Sequence, residues 1–402
     1  MSGSREHVRE VARRGARVAF LLALLTFAAA CGGPRVAPLE GTPGPYDELA
    51  PEELALLGDA RRAFDEARLD DARAVLADLQ ARAPQNLFAA ALRQDVELAW
   101  LGQGGTLENV DKDLAASTLP ASGSTAVKLR RWYRLQALRA DATAFDHVLA
   151  ARVEDDEIAA LRLLDRAIAL DPQCIWAHFG RAFVAMRQGD VAACRAALDR
   201  AIELDASHPR VRRLEATLLE ALGHDTQARE LLEKWTVAVE HDVRVSDAEV
   251  IDANLDLAHA DLVTRRTDDA LRRLLALDPA DPQRRARREL LLADAWAAEE
   301  RWEESLESLR LARTYQPSSY TAWQSEALVL HHGLGDLEGA LEAWRAAAEV
   351  AAQQAGVDAA AAVIVQQARV EILRLEREVE DAAAAAADAA SAAEAKAQAD
   401  AP

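Results

Sequence analysis

Along most of this chain apolar residues recur with the period of a helix, and the helical stretches themselves repeat. Ala160, Cys194 and Ala228 are spaced 34 and 34, and Leu164, Leu198 and Leu232 keep the same interval. Gly189 and Gly223 are 34 apart, as are Ala182 and Ala216. Farther along, Ala270, Ser305 and Ala340 are spaced 35 and 35. The words Ala-Ile-Ala-Leu-Asp-Pro172 and Ala-Ile-Glu-Leu-Asp-Ala206 hold equivalent places. Each unit reads as helix, short turn, helix, then a break marked by Pro. One such hairpin cannot bury its own apolar faces, so neighbours must stack. The expected fold is all-α: an α-solenoid of stacked helix–turn–helix hairpins.

The unit 175–208 has Ala182 and Cys194 where two helices would cross, Gly189-Asp190 at the turn, and Leu198 and Ala201 in the second helix. The unit 286–319 has Ala293, Trp296, Trp302, Leu309, Ala312 and Pro317. With the period of 34, these residues resemble the tetratricopeptide repeat. About seven such units fit between residues 51 and 350, and the match is weakest over 87–155. The resemblance implies a concave groove lined by the first helix of each unit. Carried over by position, the groove residues are Trp176, Phe179, Phe183, Met186 and Arg187, joined by Arg210 and Arg213 of the next unit. An aromatic stripe beside three Arg suits a peptide with apolar anchors and an acidic side chain or terminal carboxylate. The same stripe also fits a helix core, and the sequence leaves both open.

The N-terminus departs from the repeat. Residues 1–17 carry five Arg, and then Val18 to Ala30 runs apolar with a single hydroxyl, a length that suits a signal-peptide core rather than a spanning helix. It ends in Ala28-Ala29-Ala30-Cys31-Gly32-Gly33. This resembles the lipobox of bacterial lipoproteins, although Ala28 stands where that family usually has Leu. The resemblance implies lipidation of Cys31 and cleavage just before it. It further implies a periplasm-facing protein anchored in the bacterial cell envelope, at the outer membrane rather than the inner because Gly32 is not Asp. Residues 31–50, rich in Pro and Gly, read as a tether.

Expected segments are thus a leader over 1–30, the tether over 31–50, N-terminal helices over 51–105 and an irregular insert with an extra helix over 106–155. The array then covers 156–350. A capping helix follows over 351–380, then an Ala-rich acidic tail over 381–402, read as disordered or a frayed helix.

Composition narrows the function. The net charge is −20, which argues against nucleic acid as a partner. No phosphate loop, nucleophile elbow, His-Glu-x-x-His or Cys-x-x-Cys occurs. His331-His332 point about 100° apart on a helix and make no ligand pair. Asp155-Asp156-Glu157 and Asp268-Asp269 read as charges at helix starts. Arg284, Arg285, Arg287 and Arg288 read as a solvated basic face. Cys174 and Cys194 are too far apart on antiparallel helices for a disulfide. The expectation is therefore no enzyme, no metal, no cofactor and no small-molecule substrate. The favoured reading is a lipid-anchored scaffold or adaptor that binds protein or peptide partners through the solenoid. The alternative is a regulatory subunit of an envelope enzyme or of a secretion or assembly machine.

Overall fold

A computed structural model describes residues 44, 46–116, 124–240, 242–355 and 359–399. The leader, Cys31 and the tether through residue 43 lie outside the described residues, as do 400–402 of the tail. The chain is 80% helical, and no strand occurs among the described residues. It forms two compact units, one ending at Ala253 and the other beginning at Asn254.

In the first unit, α1 (Pro51–Asp65) and α2 (Leu69–Arg82) make a hairpin. Then come α3 (Leu87–Gly102), α4 (Glu108–Ala116) and α5 (Thr125–Ala137). Three hairpins follow: α6 (Ala144–Arg152) with α7 (Glu157–Leu170), α8 (Ile175–Arg187) with α9 (Val191–Leu204), and α10 (Pro209–Ala221) with α11 (Asp225–Val239). The first unit ends within α12 (Asp247–Val263).

The sequence explains the local geometry of α8 and α9. Gly189 has φ +72°, a left-handed conformation that Gly adopts without steric cost. Asp190 caps α9 by accepting from Ala193 N at 2.9 Å. Ala182 and Cys194 are fully buried where the helices cross, and both described cysteines are free thiols. At Gly180 an added Cβ would lie 2.7 Å from Leu164, so α7 and α8 pack at a distance only Gly permits.

Two boundaries differ from the sequence reading. The array starts at α6, inside the stretch assigned to an insert. α6 has only nine residues and reaches α7 through Val153–Asp156 with no Gly, so it lacks the turn signal of its neighbours. α3 is buried along almost every turn and contacts α5, with α4 intervening, which breaks the 34-residue period there.

The second unit continues with α13 (Thr267–Ala276), the hairpin α14 (Pro282–Ala298) and α15 (Trp302–Tyr315), the hairpin α16 (Tyr320–Leu328) and α17 (Leu337–Gln354), and α18 (Ala359–Ala399). Between α16 and α17, Val329–Leu334 winds in wider turns. There His331 bonds Glu378 of α18 at 3.1 Å. α18 packs on α17 through Ala368 and Leu375, both fully buried with Trp344 and Ala347. The Ala-rich tail, read as disordered or a frayed helix, is a helical extension of α18 as far as Ala399. Alanine has the highest helix propensity, and the packed half of α18 supplies the nucleus from which it propagates.

The Arg cluster of α14 is not a solvated face. Arg285 donates to the Pro279 carbonyl at 2.6 Å, Arg287 pairs with Asp256 at 2.6 Å, and Arg288 donates to the Leu277 carbonyl at 2.6 Å. These side chains tie α14 to the turn before it and to α12.

Candidate functional site

In the first unit the N-terminal ends of α3, α8 and α10 converge, and the short segment before α1 crosses them: Asp47 N donates to the Gly44 carbonyl at 2.9 Å, closing a turn, and residues 48–50 lead on into α1. The backbone holds it at two points: Leu87 N donates to the Tyr46 carbonyl at 2.9 Å, and Asn86 Nδ2 donates to the Glu48 carbonyl at 3.3 Å. Asn86 is also the N-cap of α3, accepting from Ala89 N at 2.9 Å. Gly44 lies close enough to α8 that a Cβ there would be 3.0 Å from Ile175.

The anchor of the segment is Asp47, only 3% exposed. Its Oδ1 accepts from Trp176 Nε1 at 2.6 Å. Its Oδ2 has no hydrogen-bond partner and stands 3.9 Å from His208 Nε2. His208, the N-cap of α10, is buried, and neither ring nitrogen has a partner. Asp205 is buried beside it. One of its oxygens accepts from Ser207 N and Oγ at 2.8 and 2.6 Å, and the other has no partner.

Aromatic rings wall this chamber. Trp176 meets Phe88 edge-on at 5.0 Å and His208 at 5.5 Å, and Phe88 stacks on His208 at 5.5 Å. The Arg210 guanidinium lies 4.9 Å from the Trp176 ring and pairs with Glu249 at 3.1 Å. Arg244 lies 5.6 Å from Phe88 and forks onto Asp242 at 2.9 and 2.7 Å. The loop that carries Arg244 reaches α1, where Arg61 Nε donates to the Val243 carbonyl at 3.3 Å. A cleft of about 870 Å³ runs beside the segment, between it, the end of α2 and the Asp242–Arg244 loop.

Burial sets the protonation. It pushes Asp47 up to about 7, against the opposing pull of the Trp176 hydrogen bond and of Arg244 and Arg210. Burial, with Arg210 and Arg244 adding to it, pushes His208 down to about 3. Near neutral pH the chamber therefore holds a neutral imidazole and a carboxyl poised between its two forms. The arrangement can hold an acidic side chain. No group of three His, Cys, Asp or Glu placed for a metal occurs among the described residues.

The sequence-derived groove residues divide. Trp176, expected on an open surface, is 2% exposed because residues 44–50 and α3 cover it. Arg210 joins it by stacking on its ring. Phe179 is half-buried, 6.2 Å from Phe183 and 6.4 Å from His208, and Phe183 is 47% exposed. Met186 packs among the half-buried residues between α8 and α10. Arg187, at the far end of α8, pairs with Glu157 at 3.1 Å, and Arg213 is half-buried on α10. Asp47, Asp205, His208, Arg244 and Phe88 were not foreseen. The one available signal was Tyr46, the only aromatic residue in the Pro- and Gly-rich stretch 31–50.

Residues 154–218, from the turn before α7 into α10, match the tetratricopeptide repeat family model. A search of curated proteins gives no match. Among solved structures, the chain is similar to the APC/C hetero-tetramer Cut9–Hcn1, with a TM-score of 0.56 and 15% identity over 79% of this chain and 56% of that one. It thus spans about half the length of that relative. It also aligns with PilW, a type IV pilus biogenesis factor (TM-score 0.42, 13% identity, 56% of this chain and 93% of that one). A third alignment is with YrrB, a tetratricopeptide repeat protein with an unusual peptide-binding site (TM-score 0.34, 18% identity, 46% and 91%). The chain is a solenoid of tetratricopeptide-type hairpins.

Proposed function

We propose that this protein is a non-enzymatic adaptor that binds a segment of a protein partner on the inner face of its first unit, and that it does so from the bacterial cell envelope on a lipid at Cys31. The observation that carries the binding reading is residues 44–50. The fold already holds a short turn-bearing segment across three helix N-termini, through the backbone carbonyls of Tyr46 and Glu48 and the buried Asp47 carboxylate. That is how a repeat array reads a peptide: backbone bonds give affinity and a side-chain chamber gives selection. The anchor reading rests on the apolar run ending in Ala30-Cys31. Two or three acyl chains there suffice for stable membrane attachment.

Two experiments test the two halves. Cells grown with radioactive palmitate should label the wild-type chain and not Cys31→Ser, and only the wild type should sediment with membranes. Labelling of Cys31→Ser refutes the anchor. A photo-crosslinking residue in place of Phe183, the exposed end of the aromatic stripe, should trap the same envelope protein repeatedly. The same probe at exposed Val370 of the second unit should not trap it. Identical products from both positions refute a binding face on the first unit.

A further inference from the structure

We propose that the chamber at the N-terminal ends of α3, α8 and α10 is a recognition subsite for a carboxylate side chain presented on a peptide turn, that Asp47 fills it as a built-in occupant, and that an acidic segment of the partner enters by displacing residues 46–50. This rests on the adaptor reading above and names the ligand chemistry.

Three observations point the same way. First, the chamber is dressed for an acid. Trp176 Nε1 donates into it, and the guanidinium groups of Arg210 and Arg244, themselves paired with Glu249 and Asp242, flank it and offset the neighbouring Asp205 carboxylate. Three first-helix N-termini, the positive ends of their helices, face the same place. Second, Asp47 is an imperfect occupant. One of its carboxylate oxygens, both nitrogens of His208 and one oxygen of Asp205 are buried without a partner. Unmet buried polar groups are costly, so an anchor that leaves four atoms unmet is inexpensive to release. Third, there is room for exchange. The cleft of about 870 Å³ borders the segment along Asp47, Glu48 and Leu49 and is walled opposite by Arg82, Val243 and Arg244. A segment serving only as structural filler would be matched by closed packing on that side.

The ligand that fits is a segment whose turn ends on Asp, with an aromatic residue before it to take the place of Tyr46. Because the built-in occupant is tethered, it competes at a local concentration of order millimolar, and free ligand binds the intact chain weakly.

A fluorescent peptide with the sequence of residues 44–50 tests this by anisotropy against the full chain. Asp47→Ala, whose own segment is no longer anchored, should bind it at least about tenfold more tightly than wild type. The same peptide with its Asp replaced by Ala should not bind. Adding Trp176→Phe to Asp47→Ala, which removes the Nε1 donor and keeps an aromatic ring, should weaken binding about tenfold. Equal affinity for wild type and Asp47→Ala, or no binding to an Asp47→Ala chain of unchanged circular dichroism and melting, overturns the proposal. Should Asp47→Ala fail to fold, the wild type decides: excess peptide should accelerate hydrogen exchange of the amides of residues 46–50, and unchanged exchange overturns the proposal. A partner trapped at Phe183 with no change of peptide binding in Asp47→Ala sinks the subsite alone. Peptide exchange with no trapped partner sinks the adaptor reading alone.

Discussion

The hairpin α8–α9 of the first unit and the hairpin α14–α15 of the second are built on the same plan and differ where they face inward. Their framework positions agree. Ala182 and Cys194 correspond to Ala293 and Ser305, and all four are buried. Leu198 and Ala201 correspond to Leu309 and Ala312, also buried. Gly189 at φ +72° corresponds to Glu300 at φ +60°, so the same left-handed turn is made by a Gly in one and a Glu in the other. The inner positions have nothing in common. Trp176 and Phe183 correspond to Arg287 and Asp294, and His208 to Ser319. In the first unit Trp176 and His208 wall an aromatic chamber covered by residues 46–50, and Phe183 stays half exposed. In α14 Arg287 is spent on an ion pair with Asp256. Packing fixes the framework, and the inner face is left free to specialise.

The largest test of this contrast is truncation at the matched inner position. Trp176→Ala removes a buried ring and should destabilise the first unit by about 3–5 kcal/mol in a denaturant melt. Arg287→Ala removes a half-exposed ion pair and should cost at most about 1 kcal/mol in the second unit. Equal losses would break the contrast. The framework should behave in the opposite way. Ala182→Leu and Ala293→Leu both overfill a helix crossing and should cost a similar amount, about 1–3 kcal/mol each. A large loss in only one of them would show that the frameworks are not equivalent.

The next effect is in pH. Asp47, whose pKa rises from 3.8 to about 7 on folding, gives stability that is full below pH 4 and is lost as pH rises through 7. His208, whose pKa falls from 6.5 to about 3, gives stability that is full above pH 6.5 and is lost as pH falls through 3. Trp176, Asp205, Arg210 and Arg244 face this pair. The two slopes oppose each other between about pH 4 and 6.5, so wild-type stability of the first unit should be nearly flat there. His208→Gln should unmask the Asp47 slope and be relatively more stable at pH 5 than at pH 7.5. Asp47→Asn should show the reverse. Parallel pH curves for all three proteins would rule out both groups as the source.

The smallest effect is at the turns. Glu300→Gly relieves a left-handed non-Gly residue and should stabilise the second unit by about 1 kcal/mol. Gly189→Ala should destabilise the first by a similar amount. Differential scanning calorimetry reads both.

Much of the fold is legible in the sequence because its determinants are local. The spacing of Ala160, Cys194 and Ala228 marks helix crossings, and Gly189 and Gly223 mark turns at φ +72° and +74°. α5 (Thr125–Ala137) lies within the stretch 106–155 read as an insert with an extra helix, and Asp156 caps α7 by accepting from Ile158 N at 3.0 Å. The site is less legible because its determinants are distant. The contact of Asp47 with Trp176 spans 129 positions, and nothing in a stretch of Pro, Gly and small residues indicates that it folds back over helix N-termini. Trp176 and Arg210 lie on the neighbouring helices α8 and α10, and periodicity carries no information on what covers them. The Arg run of α14 misled for a related reason: its acceptors are carbonyls and Asp256, invisible to a count of charges.

The account turns on residues 44–50 being held across the first unit by Asp47, and hydrogen exchange of the full chain measures that directly. In the wild type the Leu87 amide, which donates to the Tyr46 carbonyl at 2.9 Å, should be protected. In Asp47→Ala that protection should fall together with that of residues 46–50, while the amides of α9 and of α14–α15 keep their wild-type rates. Unchanged protection at Leu87, or a loss spread evenly over α8 and α9, would contradict it.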